Sequence, residues 1–454
     1  MPGLSTAHSV ALAALIERCP DPMLAVLCKA VAAMRGERAS ALADMLAVET
    51  LDRTRRAMVL APLVPMFRVR ADRVEALTFP AGVLPRLWKA ASGREPGLLP
   101  RLDEDGIEAL AVADRICLAA AAQVRDNPDL VWPPALSASA EERQRGLSEL
   151  AACLDLAHLA RRGLPSLEVW LKRPDGDQIA ELRLLLKDCA GVADDGAQRV
   201  LEMLFAHLDD AVLILRIVTQ TSGAAGRESF LSASELAGFV DRLIAGVNDR
   251  AARVDRFRAG ADQAVAKAVI ADLGWCAGVM AELDVSLQLQ PDSAWGRSVR
   301  DGRVSIARQL AALLRAADKA VDAALPLVRA QISGRMTRKI PSLAAPVDGP
   351  VVEAAITLMQ LVGSVRGPAS VFGCEADRRQ LVESLTNRLS TWADEALALI
   401  NDGETEDEAH ALTLVELTAR MLDLVDAADA ARTVRRRAAV AGAVPADKVS
   451  SAAA

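Results

Sequence analysis

Histidines close to carboxylates are the residues of this chain whose types and spacing could do chemistry. Asp155 precedes His158 by three residues, Asp407 precedes His410 by three, and the stretch FAHLDD places His207 beside two aspartates. Residues three apart share one face of a helix, so each pair could offer two ligands to one metal ion. A histidine beside carboxylates could also transfer protons near neutral pH.

Two observations argue against both kinds of site. Asp407 and His410 lie in the acidic run NDGETEDEAH, which is typical of a helix start, where the dipole favours carboxylates without any metal. No serine or cysteine with a recognisable nucleophile signature accompanies His207. We therefore expect no metal and no cofactor, and no catalytic residue can be named.

A glycine-containing loop in residues 211–230, AVLILRIVTQTSGAAGRESF, invites comparison with a phosphate-binding loop. That motif needs G-x-x-x-x-G-K-[ST] between a strand and a helix. Here Gly223 and Gly226 are only three apart, and Arg-Glu-Ser replaces the lysine and hydroxyl pair. The apolar residues before the loop recur at helical spacing, which predicts a helix over 194–221 that ends at Gly223. The sequence therefore predicts a turn.

Two basic stretches are candidate docking sites. RTVRRRAAVAGAV concentrates Arg432, Arg435, Arg436 and Arg437 at the end of the last predicted helix. Cations there complement the helix dipole, but they could also bind an acidic protein, lipid headgroups or nucleic acid. The second stretch, SGRMTRKIPS at 333–342, could be a docking or modification site, although its composition is also typical of a solvated linker.

Six tryptophans are scattered singly, and in a chain with so few aromatic residues most should anchor the core. The stretch DLVWPPALS differs, because a tryptophan followed by two prolines in a loop can be partly exposed. Trp132 is therefore the candidate interface residue.

Composition predicts an all-α, alanine-rich protein. Of 454 residues, 52% are hydrophobic and 25% charged, while aromatics are only 3% and tyrosine is missing. Alanine and leucine favour helices, whereas sheets depend on aromatic and β-branched residues. The net charge of -7 and the scarcity of stacking side chains make nucleic acid an unlikely partner.

The cellular compartment is inferred from cysteines and from the lack of targeting features. Seven cysteines occur singly without a C-x-x-C motif, which favours free thiols in a reducing cytoplasm. The first twenty residues lack a basic n-region and a cleavage site, so we expect no signal peptide. The uncharged run Ala354–Val365 is too short to cross a bilayer, so we expect no transmembrane segment.

The later helices show a narrow apolar seam with alternating steps of four and three. It runs from Leu310 to Val328 and again from Leu414 to Ala431. Near-parallel helices with knobs-into-holes packing have this 3.5-residue repeat. We therefore expect an irregular helical N-terminal domain, followed along the chain by an elongated antiparallel bundle with coiled-coil-like seams. The predicted segments are a short-helix domain at 1–135, long helices at 139–332, a linker or long loop at 333–350, completing helices at 351–438 and a disordered tail at 439–454.

Long helices with narrow seams and no recognisable catalytic motif favour a role in binding other proteins, as a scaffold, adaptor or regulator, and allow homo-oligomers. Two alternatives remain open. One is a helical enzyme whose site is assembled from residues distant in sequence. The other is a peripheral membrane or nucleic-acid binder that acts through the C-terminal arginine cluster.

Overall fold

A computed structural model describes residues 6–104, 106–172, 174–221, 227–333 and 336–441. The all-α prediction is confirmed, because helices make up nearly all of the regular structure in these residues and the strands form one hairpin. The chain divides into two compact units, Met1–Gly223 and Ala224–Ala454. The disordered tail predicted at 439–454 is wrong in its first residues, because the last helix extends to Ala441, and the rest of the tail and Gly223 lie outside the described residues.

The first unit consists mainly of short helices, several of which are joined by proline-containing turns, although two helices have 23 and 20 residues. Its helices are α1 (Thr6–Arg18), α2 (Asp21–Ala32), α3 (Glu37–Val59), α4 (Val83–Arg94), α5 (Ile107–Asp126), α6 (Pro128–Val131), α7 (Ala140–Asp155), α8 (Ala157–Gly163), α9 (Leu167–Leu171), α10 (Gly176–Val192), α11 (Gly196–Ala206) and α12 (Ile214–Thr221). Helix α5 is central, since it packs against α3, α4, α7 and α8. These contacts cross residue 135, so the unit continues beyond the domain boundary that the sequence suggested.

Local sequence signals start several of these helices. The Ser139 hydroxyl accepts the Glu142 backbone N–H at 3.1 Å and so caps α7. Asp175 and Gln178 form a reciprocal capping box at the start of α10. The prediction of a single helix over 194–221 is wrong, because the structure divides this segment into α11 and α12. The Asp210 carboxylate accepts the Val212 N–H at 3.0 Å in the short turn between them.

The second unit contains longer helices and the hairpin. Its elements are α13 (Glu228–Leu231), α14 (Ala237–Arg256), α15 (Gln263–Ser286), α16 (Ala294–Ala324), β1 (Leu327–Ser333), β2 (Met336–Pro341), α17 (Pro350–Ser364), α18 (Arg366–Val371), α19 (Glu375–Asn401), α20 (Glu408–Leu424) and α21 (Ala428–Ala441). Helices α14, α15 and α16 pack against one another, and α17 packs against α15 and α16. Helices α19, α20 and α21 form a second group that α17 joins through α20.

The predicted apolar seams are interrupted where helices end. Leu310, Leu314 and Val321 are buried on α16, but the helix ends at Ala324 before Pro326, and Val328 belongs to a strand. A linker or long loop over 333–350 is wrong in its first part, because residues 336–341 form β2.

One helix of the second unit is long and apolar enough to cross a membrane. Within the described residues this helix is α15, and its length and composition are also those of many buried core helices. The sequence expectation missed it because α15 carries Lys267 and Asp272. Asp272 accepts two hydrogen bonds from Arg253 of α14, at 2.8 and 2.7 Å, which hold α15 against that helix.

Candidate functional site

Trp132 lies in the core of the first unit and is only 3% exposed, so the expectation of a partly exposed interface residue is wrong. Its indole N–H donates to the Ser137 hydroxyl at 2.7 Å, and its ring meets Phe79 edge-on at 6.3 Å. Gly146 lies so close that an added Cβ would be 2.3 Å from the ring. The indole therefore packs inward against Phe79 and Gly146.

The arginine cluster on α21 binds neighbouring helices of the same unit. Arg435 Nε lies 2.9 Å from Glu416, and its guanidinium also pairs with Asp423 at 2.8 Å. Arg437 pairs with Asp394 of α19. These ion pairs neutralise much of the positive charge that a phosphate or an acidic partner would need, and they hold α21 on α19 and α20.

The other two arginines add little to an anion site. Arg432 pairs with Asp429 within α21. Arg436 is exposed, and no ion pair is seen for it among the described residues. Helix α21 continues to Ala441 and has no basic residue in its last turn, so a simple dipole effect does not explain the cluster either. The geometry favours a structural role for these arginines.

Neither Asp-x-x-His pair forms a ligand set. His158 Nδ1 lies 3.1 Å from the backbone oxygen of Asp155, whose carboxylate pairs with Arg125 instead. Asp407 caps α20 by accepting the His410 backbone N–H at 2.9 Å. Within the ranges that the structure describes, no group of three or more His, Cys, Asp or Glu side chains could hold a metal ion.

His207 ends α11 and is partly buried. Its Nε2 lies 3.3 Å from the backbone oxygen of Pro62. Burial lowers the pKa of His207 below the usual 6.5, so the imidazole is neutral at neutral pH. Neither His207 nor His158 lines any of the cavities described below.

A surface that the sequence did not reveal is the hairpin of the second unit. Strands β1 and β2 pair antiparallel, with Val328 opposite Ile340 and Arg329 opposite Lys339. Val328 and Ile340 lie on the face that also lines a cleft beside α19. Arg338, on the same face, pairs with Glu395 of α19. The hairpin is therefore held against α19 mainly through β2 and through the face that carries Val328 and Ile340.

The outer edge of β1 faces no other strand in the described structure. The Ser342 N–H donates to Pro326 O at 3.0 Å, which makes Leu327 and Pro341 a non-hydrogen-bonded pair. By alternation, Val328 and Ala330 point their backbone groups at β2, whereas Leu327 and Arg329 point theirs outward. An unpaired row of N–H and C=O groups of this kind can accept another strand.

Two cations stand opposite each other on the outer face of the hairpin. Arg329 and Lys339 form a non-hydrogen-bonded cross-strand pair, the arrangement in which side chains approach most closely. Both are exposed, and no ion pair is seen for either among the described residues. Like charges in this position repel, so a bound anion would relieve the repulsion.

Two polar cavities accompany these features. A cleft of about 520 Å³ lies between the hairpin and the start of α20, and its polar lining includes Glu404, Glu406 and His410. A groove of about 760 Å³ lies between α14 and α16, with Asp301 and Arg308 among its lining residues. The cleft is lined by carboxylates and a histidine, and the groove by both acidic and basic side chains, so both offer hydrogen-bonding groups to polar ligands or peptide segments.

Comparison with known proteins yields no match: no family model, curated protein or solved structure is significantly similar to this chain.

Some signals in the sequence could have revealed the hairpin. Pro326 forbids a continuous helix, the Ser-Gly dipeptide at 333–334 is a turn signal, and valine, isoleucine and threonine are present in the flanking residues. The apolar spacing from Leu310 to Val328 points instead to a continuous helix, so the two kinds of signal conflict. The opposition of Arg329 and Lys339 depends on the register, which the sequence does not specify in so short and polar a ribbon.

Proposed function

We propose that this chain binds other proteins, as a scaffold, adaptor or regulator, and that β1 is the surface that takes up an extended acidic segment of a partner. The observation that carries the proposal is the free outer edge of β1 together with the opposed cations Arg329 and Lys339. Addition of a strand to an exposed edge is a recurrent mode of peptide recognition.

The edge provides the main-chain contacts. The outward N–H and C=O groups of Leu327 and Arg329 would pair with alternate residues of the incoming segment. Leu327 and Val328 are 51% and 45% exposed, so apolar surface is available at the edge. A partner strand would cover part of this surface and gain hydrophobic stabilisation.

The charges select the kind of partner. A carboxylate placed beside Arg329 and Lys339 would interact with both guanidinium and ammonium groups and offset their mutual repulsion. The same charges oppose pairing of two β1 edges from two copies of this chain, since four cations would then meet. This favours an acidic partner over self-association at the edge, and any homo-oligomer would form elsewhere.

Strand β2 is a poorer edge for this purpose. Pro341 has no N–H to donate, and its non-hydrogen-bonded position opposite Leu327 directs its backbone outward. Helix α19 also packs against β2. The asymmetry between the two strands directs an added segment to β1.

The test is binding of synthetic peptides to the full chain by calorimetry at low ionic strength. The probe is a peptide of alternating aspartate and valine, and the matched control is a peptide of alternating lysine and valine. We expect the acidic peptide to bind and the basic one to fail. A version of the acidic peptide that is N-methylated at every second residue should also fail, because it cannot complete the ladder.

Charge reversal locates the site. The double variant Arg329→Glu with Lys339→Glu should weaken the acidic peptide by about twofold to thirtyfold, since each exposed ion pair contributes about 0.2–1 kcal/mol. The control variant Lys267→Glu with Arg436→Glu changes the same net charge at distant exposed positions and should change affinity little. An equal loss of affinity in both variants would mean that net charge alone causes the effect, and would contradict a site at β1. No binding of any peptide would mean that the cations only protect the edge from aggregation.

A further inference from the structure

A third cavity of the second unit, here called the Trp392 pocket, is mainly apolar. It has a volume of about 320 Å³ and lies between the end of α16, the start of β1 and α19. Its apolar walls come from Val321, Leu325, Leu327, Leu389 and Trp392. This volume is at the lower end of the range for ligand pockets, which suits one large apolar side chain.

The Trp392 pocket lies beside the free edge of β1. Leu327, the first residue of β1, belongs to both, since it lines the pocket and directs its backbone groups outward. On the other side of Leu327 is its β2 partner Pro341, which lines the polar cleft next to α20 instead. Among the described residues that line the pocket, none belongs to β2. The pocket is therefore on the side from which a segment would join β1.

Strand pairing directs one side chain of that segment to the pocket. A residue paired with Leu327 across the edge places its Cβ about 4.5–5.5 Å from the Cβ of Leu327, on the same face. Leu327 is half-exposed, so its side chain has room for this neighbour. Two residues further along the segment, the next side chain on that face lies beside Arg329. One face of the segment therefore meets first the pocket and then the cations.

The charged groups at the pocket disfavour a charged occupant. Arg388 pairs with both Asp318 and Asp322, and Glu395 pairs with Arg338. Because these charges are already engaged with one another, a charged side chain in the pocket would lose water without gaining a free partner. A phenylalanine or leucine side chain enters without that cost and is stabilised by leaving water.

We propose that the Trp392 pocket holds one large apolar side chain of the added segment, that of the residue paired with Leu327. The inference rests on the proposed strand addition at β1, and it narrows the partner to segments with an apolar residue two positions from an acidic one. In a segment parallel to β1 the apolar residue comes first, and in an antiparallel segment the acidic residue comes first. Side-chain pockets of this kind provide specificity where main-chain bonds provide affinity.

The test compares, by calorimetry on the full chain, the affinities of peptides that differ at one position. The parent is a peptide of alternating aspartate and valine that begins and ends with aspartate. In two derivatives phenylalanine replaces the first or the last aspartate, so that both directions of pairing are tested. One derivative should bind about fivefold to tenfold more tightly than the parent, because part of the phenylalanine side chain is buried. Asparagine at the same position removes the charge without adding apolar surface and should bring no such gain.

A variant with a filled pocket provides the second readout. Thr391 of α19 is exposed and lines the pocket, so Thr391→Trp should fill the pocket from the surface and leave the core unchanged. This variant should bind the parent peptide as before and lose the preference for phenylalanine. The matched control Ser384→Trp, at an exposed position of α19 outside the pocket, should keep that preference.

The outcomes separate the pocket from the edge of β1. Binding of the parent peptide with no gain from either phenylalanine derivative would overturn the role of the pocket and leave strand addition standing. An equal gain in Thr391→Trp would also overturn it, since the phenylalanine would then bind elsewhere. If the parent peptide itself does not bind, strand addition at β1 fails and this inference fails with it.

Discussion

Helices α17 and α20 approach each other so closely at Gly363 that a Gly363→Ala substitution should lower the stability of the protein. A Cβ added at Gly363 of α17 would lie 2.0 Å from the backbone oxygen of Leu424 and 3.2 Å from its carbonyl carbon. Real Cβ atoms essentially never come within 3.0 Å of another heavy atom, so Gly363→Ala must push the two helices apart by about 1 Å. Backbone cannot move aside as a flexible side chain can.

Two opposing effects decide the result. Alanine is favoured over glycine within a helix by about 1 kcal/mol, and by less near the helix end where Gly363 lies. Overpacking of a tight contact costs about 1–3 kcal/mol, and more where backbone is involved. We therefore expect Gly363→Ala to lower the free energy of unfolding by about 1–3 kcal/mol.

Gly274 provides the matched control. It lies in the middle of α15, and nothing is within 4 Å of the position of an added Cβ. Gly274→Ala should therefore raise the free energy of unfolding by about 0.5–1 kcal/mol. Urea unfolding followed by circular dichroism compares both variants with the unmodified chain. A Gly363→Ala variant that is as stable as Gly274→Ala would refute the close approach of α17 and α20.

Three further predictions concern titration, reactivity and ion pairing. Because the folded pKa of His207 lies below its unfolded value of 6.5, its contribution to stability is complete above pH 6.5 and is lost as the pH falls through the folded pKa. His207→Gln should therefore lose less stability between pH 7.5 and 5.5 than the unmodified chain, measured as the urea midpoint. Iodoacetamide at pH 8 should modify the partly exposed Cys19 and Cys28 well before Cys153, whose pKa burial raises to about 12, as mass spectrometry of timed samples would show. Arg435→Ala should cost about 0.5–1 kcal/mol in low salt and less in 0.5 M sodium chloride, since its two acidic partners on α20 are partly exposed. An unchanged urea midpoint at both salt concentrations would contradict the role of Arg435 in holding α21.

The fold class could be predicted from the sequence because composition and helical spacing are properties of every segment. The apolar residues of α16 and the Ser139 cap are local signals, and the structure has both a helix and a cap at these places. Breaks in the helices were harder to predict. The apolar spacing continues through His207 and through residues 424–428, while turns at both places end the helices. Spacing records which face is apolar but not whether the backbone between two positions is continuous.

The candidate sites depend on contacts between distant residues, and this is why the sequence missed them. The prolines after Trp132 suggested exposure, but burial was decided by Phe79 and Gly146, which lie elsewhere in the chain. In the sequence, the arginines of α21 look like an unpaired basic patch, because Arg435 and Arg437 have their acidic partners on other helices. The opposition of Arg329 and Lys339 exists only in one strand register.

Amide hydrogen exchange in β1 tests the central proposal most directly. In the free chain, the amides of Val328 and Ala330 should be protected by β2, whereas those of Leu327 and Arg329 should exchange rapidly. With saturating acidic peptide, the account predicts that Leu327 and Arg329 become protected as well. Bound peptide that leaves these two amides in rapid exchange would contradict strand addition at β1.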